Sequence, residues 1–200
     1  MIKKILFSIL ILQSCATAYD EIFVLIKNQT IGYPNQEVTM DAFQEAKFSF
    51  MTVRVGRNPK IKLVLSSVND GVYEWVSSDM HTIHTYQGLI IKTTGLPHNI
   101  HLRQFRKFNP MLLKNHNLIA EFDKPMLAGT PLILSFASKK NKSNTNIYSD
   151  IDSYTYDRVI DSIGWKAKDE YWLSGGMIIF ARQNIHPQLA KIETEFFYKF

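Results

Sequence analysis

The sequence is short of cysteine and of long apolar runs, and both shortages narrow the possible kinds of protein. Cys15 is the only cysteine among 200 residues, so no disulfide can form within the chain. Residues 5–12 are almost wholly apolar. A membrane-spanning helix needs about 20 apolar residues, so this run is too short to be one.

Common catalytic signatures are also missing. The chain has no Gly-x-Ser-x-Gly turn for a nucleophile, no HExxH pattern and no glycine-rich phosphate loop. Ser174-Gly175-Gly176 is explained by turn geometry alone. Carboxylate pairs such as Asp150/Asp152 and Asp157/Asp161 are too common in proteins to indicate glycoside hydrolysis without geometry. We therefore expect no enzymatic activity and no catalytic residues.

Four of the six histidines lie close together in the sequence, at His81, His84, His98 and His101. Successive residues of a strand project to opposite faces, so His81 and His84 cannot easily bind one ion together. No Cys/His spacing typical of a zinc site accompanies them. We expect structural or surface histidines, with no metal site and no cofactor.

The N-terminus is typical of an exported precursor. Lys3 and Lys4 precede the apolar residues 5–12, as in a secretory signal peptide. The following Leu12-Gln13-Ser14-Cys15 resembles the lipobox of bacterial lipoproteins. This resemblance implies that residues 1–14 are removed and that Cys15 carries the lipid, including an acyl chain such as palmitate on its amine. Ala16 after the cysteine favours the outer membrane, with the protein on the periplasmic face.

Charge gives little indication of a partner beyond the membrane. The formal net charge is +5, and removing residues 1–14, which contain Lys3 and Lys4, lowers it to +3. Lys139, Lys140 and Lys142 form a basic cluster within residues 138–146, which we interpret as an exposed loop. An exported chain with this charge is not expected to bind nucleic acid.

The pattern of residues 15–200 predicts one all-β domain built from antiparallel hairpins. Asn69-Asp70-Gly71, Gln87-Gly88 and Gly175-Gly176 are turn signals between segments rich in β-branched and aromatic residues. Consecutive hairpins form a meander, which we expect to be a curved sheet or half-barrel. The strands are predicted at residues 48–55, 60–65, 72–76, 82–86, 89–94, 131–137, 148–165 (one or two strands), 171–173, 177–183 and 192–200.

Helix is expected only near the N-terminus. Residues 19–28 place apolar side chains at helical spacing, and Thr39 is a candidate N-cap for a helix that ends near Lys47. Residues 97–124 are less regular, with a helical turn predicted at 109–114. The predicted fold is therefore all-β with one or two short N-terminal helices.

Aromatic residues provide the candidate ligand contacts. Trp75, Tyr171 and Trp172 are candidates for stacking on sugar rings, because their rings are flat and carry a polar group. Aromatic side chains also fill β cores routinely, and core packing is the favoured interpretation of each one.

Two blocks of the sequence resemble a known family. The blocks are Tyr73-Glu74-Trp75-Val76-Ser77-Ser78-Asp79 and residues 86–96, in which a Gly-Leu pair opens a strand that ends at Thr94-Gly95. They resemble the YjbF/GfcB family of group 4 capsule polysaccharide lipoproteins, and Tyr171-Trp172 resembles its C-terminal portion. The resemblance implies a predominantly β lipoprotein that faces the periplasm and is encoded with capsule or exopolysaccharide export genes. It carries no catalytic residues over to this chain.

The leading hypothesis is an accessory lipoprotein for assembly or export of a surface polysaccharide, with polysaccharide or export-machinery proteins as partners. One alternative is a carrier or chaperone for lipid or lipoprotein cargo, which needs a deep apolar cavity. A further alternative is a polysaccharide-modifying enzyme, which needs two carboxylates converging in a cleft.

Overall fold

The computed structural model describes residues 38–109, 115–123, 132–141 and 151–199. The predicted signal peptide, the lipidation site Cys15 and the predicted helix at residues 19–28 lie outside these ranges. The β-strands belong to a compact unit made of Glu37–Gly56 and Lys60–Phe200, and the turn residues Arg57–Pro59 fall outside that unit.

Antiparallel β-strands dominate the described residues and close into a barrel. Each strand pairs with its neighbours in sequence, and the last strand pairs with the first from Phe50↔Phe197 to Val55↔Ile192. The prediction of an all-β antiparallel meander is confirmed, and the sheet closes completely where a curved sheet or half-barrel was expected. The strands are β1 (Phe50–Val55), β2 (Ile61–Asn69), β3 (Val72–Val76), β4 (Thr82–Tyr86), β5 (Leu89–Thr94), β6 (Ile100–Arg103), β7 (His116–Phe122), β8 (Leu132–Asn141), β9 (Ile151–Ile160), β10 (Trp165–Ser174), β11 (Met177–Gln183) and β12 (Ile192–Phe197).

Two local predictions near the chain ends are confirmed. Helix α1 (Met40–Glu45) begins after Thr39, whose hydroxyl accepts a hydrogen bond from the Ala42 N–H at 3.2 Å, as an N-cap does. In β12 the side chains of Ile192, Thr194 and Phe196 are buried and alternate with more exposed ones. The sequence predicted this alternation, and it places the apolar face of β12 inside the barrel.

The irregular segment predicted at residues 97–124 contains two strands, β6 and β7. β6 is only four residues long, so its sequence pattern is too short to predict a strand. It shares one residue pair, Lys92↔His101, with β5. A short 3-10 turn, Phe105–Lys107, follows it. The helical turn predicted at 109–114 lies mostly outside the described residues.

The predicted loop at residues 138–146 is wrong in its first part. β8 continues to Asn141, which pairs with Ser153 of β9. The polar composition of this stretch favoured a loop, but β9 supplies backbone partners that composition cannot indicate. Residues 142–146 lie outside the described ranges.

Three hairpins share one turn geometry. Both central residues have positive φ in Asp70-Gly71 (50° and 76°), Gln87-Gly88 (48° and 76°) and Gly175-Gly176 (57° and 79°). This is the pattern of a type I′ turn, whose twist matches that of the flanking strands. Each turn follows an even-numbered strand of a meander, so the three lie at the same end of the barrel, called here the hairpin end.

The same three hairpins each contain a register shift. One extra residue is inserted at Ser66 of β2, at Ile91 of β5 and at Ile179 of β11. Such bulges bend a strand and increase its local twist. The hairpins that meet at the hairpin end are therefore the ones in which the strands bend most.

The barrel interior contains two groups of aromatic side chains. The Trp75 cluster consists of Tyr73, Trp75, Phe196 and Tyr198. The Phe108 cluster consists of Phe108, Phe136, Tyr156 and Tyr171. Burial of such rings is the main source of stability in a core of this kind.

A polar contact ties two strands together across the barrel. The amide of Gln183 on β11 donates to the carbonyl of Gly88 at 2.8 Å and accepts from the Ile90 N–H of β5 at 2.9 Å. β5 and β11 are not neighbours in the sheet. This contact therefore fixes the width of the barrel at that point.

Candidate functional site

An open pocket lies at the hairpin end, with a volume of about 320 Å³. Parts of all three type I′ hairpins line it, together with the residue that follows β12. The lining residues are Asp70, Gly71, Tyr73, Tyr86, Gln87, Gly88, Leu173, Gly176, Met177, Ile178 and Tyr198.

Two tyrosines of the Trp75 cluster form the base of the pocket. Tyr73 stacks on Trp75 with ring centroids 6.0 Å apart and a 12° angle between planes, and its ring meets Tyr198 edge-on at 5.8 Å. Tyr198 lies parallel to Phe196 at 5.8 Å. The indole N–H of Trp75 donates to the Thr85 hydroxyl at 2.9 Å. The pocket base therefore rests on an aromatic core that is itself fixed by a hydrogen bond.

The hydroxyl of Tyr198 stays protonated over the ordinary pH range. Burial raises the pKa of Tyr198 above its usual value, and the nearby Tyr73 raises it further. A protonated phenol both donates and accepts hydrogen bonds.

The connection between β6 and β7 supports one rim of the pocket. The ring of Phe105 meets Tyr86 edge-on at 5.3 Å. Arg106 pairs with the Asp70 carboxylate at 3.2 Å, with both side chains largely exposed. An exposed ion pair of this kind adds little stability, but it offsets the negative charge of Asp70 at the rim.

The β10–β11 hairpin contributes an apolar part of the lining, in which Ile178 is buried and Met177 is exposed. Leu173, Met177 and Ile178 come from the β10–β11 hairpin. A Cβ atom added to Gly88 would lie 2.6 Å from the Ile178 side chain, and Gly88 also has φ of +76°. Glycine is therefore required at this position for two reasons, the backbone conformation and the contact with Ile178.

Gln87 occupies a strained position at the pocket. It is the first central residue of a type I′ turn, with φ of +48°, where Asn, Asp and Gly are the preferred residues. A non-glycine residue held in the left-handed region costs on the order of 1–3 kcal/mol. Its side chain lines the pocket, whereas Asp70, at the same position of its own turn, is a residue type that tolerates this conformation.

The aromatic residues singled out from the sequence are not in the pocket. Trp75 and Tyr171 are fully buried, so neither offers a ring face to a sugar, and the core interpretation applies to both. Trp172 is partly exposed; its ring meets Phe180 edge-on at 4.9 Å, and the Arg182 guanidinium lies 5.3 Å from its centre. The three candidates therefore do not form one site.

The sequence did not single out the pocket tyrosines Tyr73, Tyr86 and Tyr198. A turn signal precedes Tyr73 and another follows Tyr86, which is the only sequence hint that they lie at a barrel end.

A buried ion pair lies within the Phe108 cluster. Nη2 of Arg158 is 2.5 Å from Oδ2 of Asp169, and both side chains are fully buried. The guanidinium also lies over the Phe136 ring at 4.8 Å. Asp169 accepts from the Asn184 N–H at 2.8 Å and from the Tyr171 hydroxyl at 3.3 Å. Burial raises the pKa of the Asp169 carboxyl, and the Arg158 charge opposes this increase.

The histidines are distributed over several separate environments. His101 pairs with Glu121 at 3.4 Å, and His98 stacks on His186 at 4.7 Å. Burial lowers the pKa of His84, and Lys92 and His101 lower it further, whereas Glu74 opposes the shift. Within the described ranges, no three His, Cys, Asp or Glu side chains lie close enough together to hold a metal ion.

None of the helices in the described residues combines the length and the apolar character that crossing a bilayer requires.

Comparison with known proteins matches most of the chain. Residues 19–197 match the family model described as "Group 4 capsule polysaccharide lipoprotein gfcB, YjbF". The uncharacterized lipoprotein YjbF of Escherichia coli K12 is 27% identical over 84 residues. That match spans 42% of this chain and 40% of the Escherichia coli protein.

A solved structure has a similar fold. The crystal structure of the hypothetical lipoprotein YmcC from Escherichia coli K12 superimposes with a TM-score of 0.69. The match covers 82% of this chain and 91% of that one, at 16% sequence identity. The two chains therefore share a fold.

Proposed function

Because the chain belongs to the YjbF family of group 4 capsule polysaccharide lipoproteins, we propose that it is a non-enzymatic accessory protein in the assembly or export of a surface polysaccharide. The family match over residues 19–197 is the observation that carries this proposal. The pocket at the hairpin end supports it, since it is a concave site in which apolar and aromatic side chains are combined with hydrogen-bonding groups, as in ligand sites. Its partners would be the polysaccharide itself or proteins of the export machinery.

The proposal places the protein in the cell envelope through a lipid on Cys15. A diacylglycerol and an amine-linked acyl chain together give stable anchoring, since each buried CH2 contributes about 0.8 kcal/mol. With Ala16 as the next residue, the anchor would lie in the outer membrane and the barrel on its periplasmic face. Labelling cells with a palmitate analogue should mark the protein but not the Cys15→Ala variant, and an unlabelled unmutated protein would contradict the anchor.

The structure gives little support to the alternative of a lipid or lipoprotein carrier. Such a carrier needs an apolar cavity deep enough for acyl chains. Over the described residues the barrel interior holds the two aromatic clusters and the Gln183 contact. The pocket at the hairpin end is open and is lined by polar as well as apolar side chains.

The enzyme alternative needs two carboxylates in one cleft. The pocket lining contributes one, Asp70, and Arg106 pairs with it. Of the acidic pairs considered from the sequence, Asp152, Asp157 and Asp161 do not line the pocket, and Asp150 lies outside the described residues. We therefore propose binding without catalysis.

Deletion of the gene tests the proposed function. We expect the amount of capsule or exopolysaccharide at the cell surface to fall, and to be restored by the unmutated gene. Complementation with Cys15→Ala should restore less than complementation with the unmutated gene. Unchanged surface polysaccharide in the deletion strain would refute the proposal.

A further inference from the structure

We infer that the pocket at the hairpin end binds an uncharged hexose segment of the surface polysaccharide, through Tyr73, Tyr86, Tyr198 and Gln87. This inference rests on the proposed function, because it names the ligand of a site in a protein that handles such a polymer.

The aromatic lining favours a sugar over other small ligands. Tyr73, Tyr86 and Tyr198 bring three rings to one pocket, and each ring carries a hydroxyl group. A sugar ring has apolar C–H faces and polar edges, so it matches a surface that offers ring faces and hydrogen-bonding groups together. Leu173, Met177 and Ile178 close the opposite side.

The charge of the lining favours a neutral sugar. Among the lining residues that the structure describes, Asp70 is the only charged one, and Arg106 pairs with it at 3.2 Å. An anionic sugar would meet the Asp70 carboxylate, and the described lining offers it no cation. A cationic sugar would have to compete with Arg106. Hydroxyl groups, in contrast, can bind to Asp70, Gln87 and the tyrosines without a change in charge balance.

The volume sets the length of the segment. A pocket of about 320 Å³ is near the lower limit for small-molecule sites, and we estimate that it accepts roughly one or two sugar rings. Because the pocket is open, the rest of a polymer can continue into solvent.

Gln87 adds a hydrogen-bonding side chain to this lining. Its backbone lies in the left-handed region, as do those of Asp70 in the same pocket and of Met80 and Gln104 elsewhere. A longer side chain thus stands at a turn position where Asn or Gly would be easier to accommodate. Gln87 lines the pocket, and its amide has both a donor and an acceptor for a sugar hydroxyl.

Binding is measured with the mature lipoprotein in lipid nanodiscs, by calorimetric titration with sugar fragments. The fragments are released from the cell's own surface polysaccharide by mild acid and separated by ion exchange into neutral and charged fractions. We expect the neutral fraction to bind and the charged fraction to bind at least about tenfold more weakly. Equal or tighter binding of the charged fraction would overturn the inference.

Single substitutions connect the binding to the pocket. Tyr86→Ala should weaken binding of the neutral fraction about tenfold or more, a loss equivalent to at least one good contact. The matched control is Trp172→Ala, which removes a partly exposed ring outside the pocket lining and should leave the affinity unchanged. Equal losses in the two variants would overturn the inference.

Gln87→Gly distinguishes a binding role from a structural one. Glycine relieves the backbone strain, so the melting temperature should stay the same or rise, while the affinity for the neutral fraction should fall about fivefold to tenfold. An unchanged affinity would contradict the role of Gln87. Displacement of the bound fragments by a free fatty acid would assign the pocket to acyl chains and overturn the inference.

The inference and the proposed function fail in different ways. If deletion of the gene lowers surface polysaccharide but no fragment binds, the proposed function stands and the sugar site is refuted. If neutral fragments bind but deletion has no effect, the site stands and the accessory role is refuted.

Discussion

The Trp75 cluster and the Phe108 cluster have similar chemistry, but only the first reaches solvent. In the Trp75 cluster, Tyr73 and Tyr198 are partly exposed and line the pocket. All four rings of the Phe108 cluster are at most 1% exposed. One cluster therefore forms the base of a binding site, and the other is closed core.

The connection between β6 and β7 contributes to this difference. Its residue Phe108 packs its ring among Phe136, Tyr156 and Tyr171. Phe105 and Arg106 of the same connection contact the pocket residues Tyr86 and Asp70. The described part of this connection thus adds a ring to the closed cluster and supports residues that line the open pocket.

The largest expected effect is on the closed cluster. Asp169→Ala leaves the Arg158 charge buried without its partner, which costs about 3–5 kcal/mol in the free energy of unfolding. The double variant Arg158→Met/Asp169→Leu removes both charges and should recover most of that loss. Urea unfolding measures both. If Asp169→Ala lowers the free energy of unfolding by less than about 1 kcal/mol, the ion pair between Arg158 and Asp169 does not stabilise the Phe108 cluster.

The next effect concerns the contact between β5 and β11. Gly88→Ala places a Cβ against Ile178 at a positive φ, and we expect a loss of about 2–4 kcal/mol, larger than that of the control, because the backbone strain and the clash add. Gly175→Ala is the control, because it has a similar φ but no atom within 4 Å of the added Cβ; it should cost about 1–2 kcal/mol. Equal losses in thermal unfolding would mean that the packing against Ile178 is unimportant.

Removal of single hydroxyls compares the closed Phe108 cluster with the open pocket. The Tyr171 hydroxyl is buried and lies within hydrogen-bond distance of Asp169 and Gln183, both at 3.3 Å. Tyr171→Phe should therefore cost about 1 kcal/mol. Tyr86→Phe, at the pocket, should change the unfolding free energy by less than about 0.5 kcal/mol. A larger loss of unfolding free energy for Tyr86→Phe than for Tyr171→Phe would contradict the conclusion that the pocket is open to solvent and the Phe108 cluster is closed.

The smallest effect is on the outer wall of the barrel, and it depends on pH. Partial burial acts to raise the pKa of Glu193, but the hydrogen bonds and charges of Arg54 and Arg182 outweigh it, so the pKa lies below its ordinary value of 4.5. The ionised carboxylate therefore adds stability above pH 4.5, and this stability is lost as the pH falls through the lowered pKa.

Glu193→Gln removes that pH-dependent contribution. Urea unfolding at pH 7 and at pH 3 should show a smaller drop in stability for Glu193→Gln than for the unmutated protein, by up to about 1 kcal/mol. The same drop in both proteins would contradict the assigned pKa direction.

The hairpins could be predicted from the sequence because their signals are local. Asp70-Gly71 and Gly175-Gly176 are common type I′ pairs between β-rich segments. The strands that follow them, β3 and β11, have the predicted bounds. The strands before them are longer than predicted, since β2 continues to Asn69 and β10 begins at Trp165. Thr39 likewise indicated the start of α1. The alternation along β12 was correct for the same reason, since it depends only on which neighbouring residues are apolar.

Features that depend on distant residues could not be predicted in the same way. Barrel closure depends on the pairing of Phe50 with Phe197, and no local pattern indicates it. Each of the bulges at Ser66, Ile91 and Ile179 inserts one residue into the pairing of its strand. Side chains beyond a bulge therefore lie on the opposite face of the sheet from the one that simple alternation predicts. The pocket tyrosines were missed because Tyr73 and Tyr86 lie on the neighbouring strands β3 and β4, whereas Tyr198 follows β12 and meets them only when the barrel closes.

Closure of the barrel also brings both ends of the sheet to the pocket. The Lys199 N–H donates to the Ser49 hydroxyl at 2.8 Å, so the chain enters β1 next to where it leaves β12, beside the pocket residue Tyr198. The seam at which the sheet closes therefore runs up to the pocket, and a ligand bound there would lie against the first and last strands together.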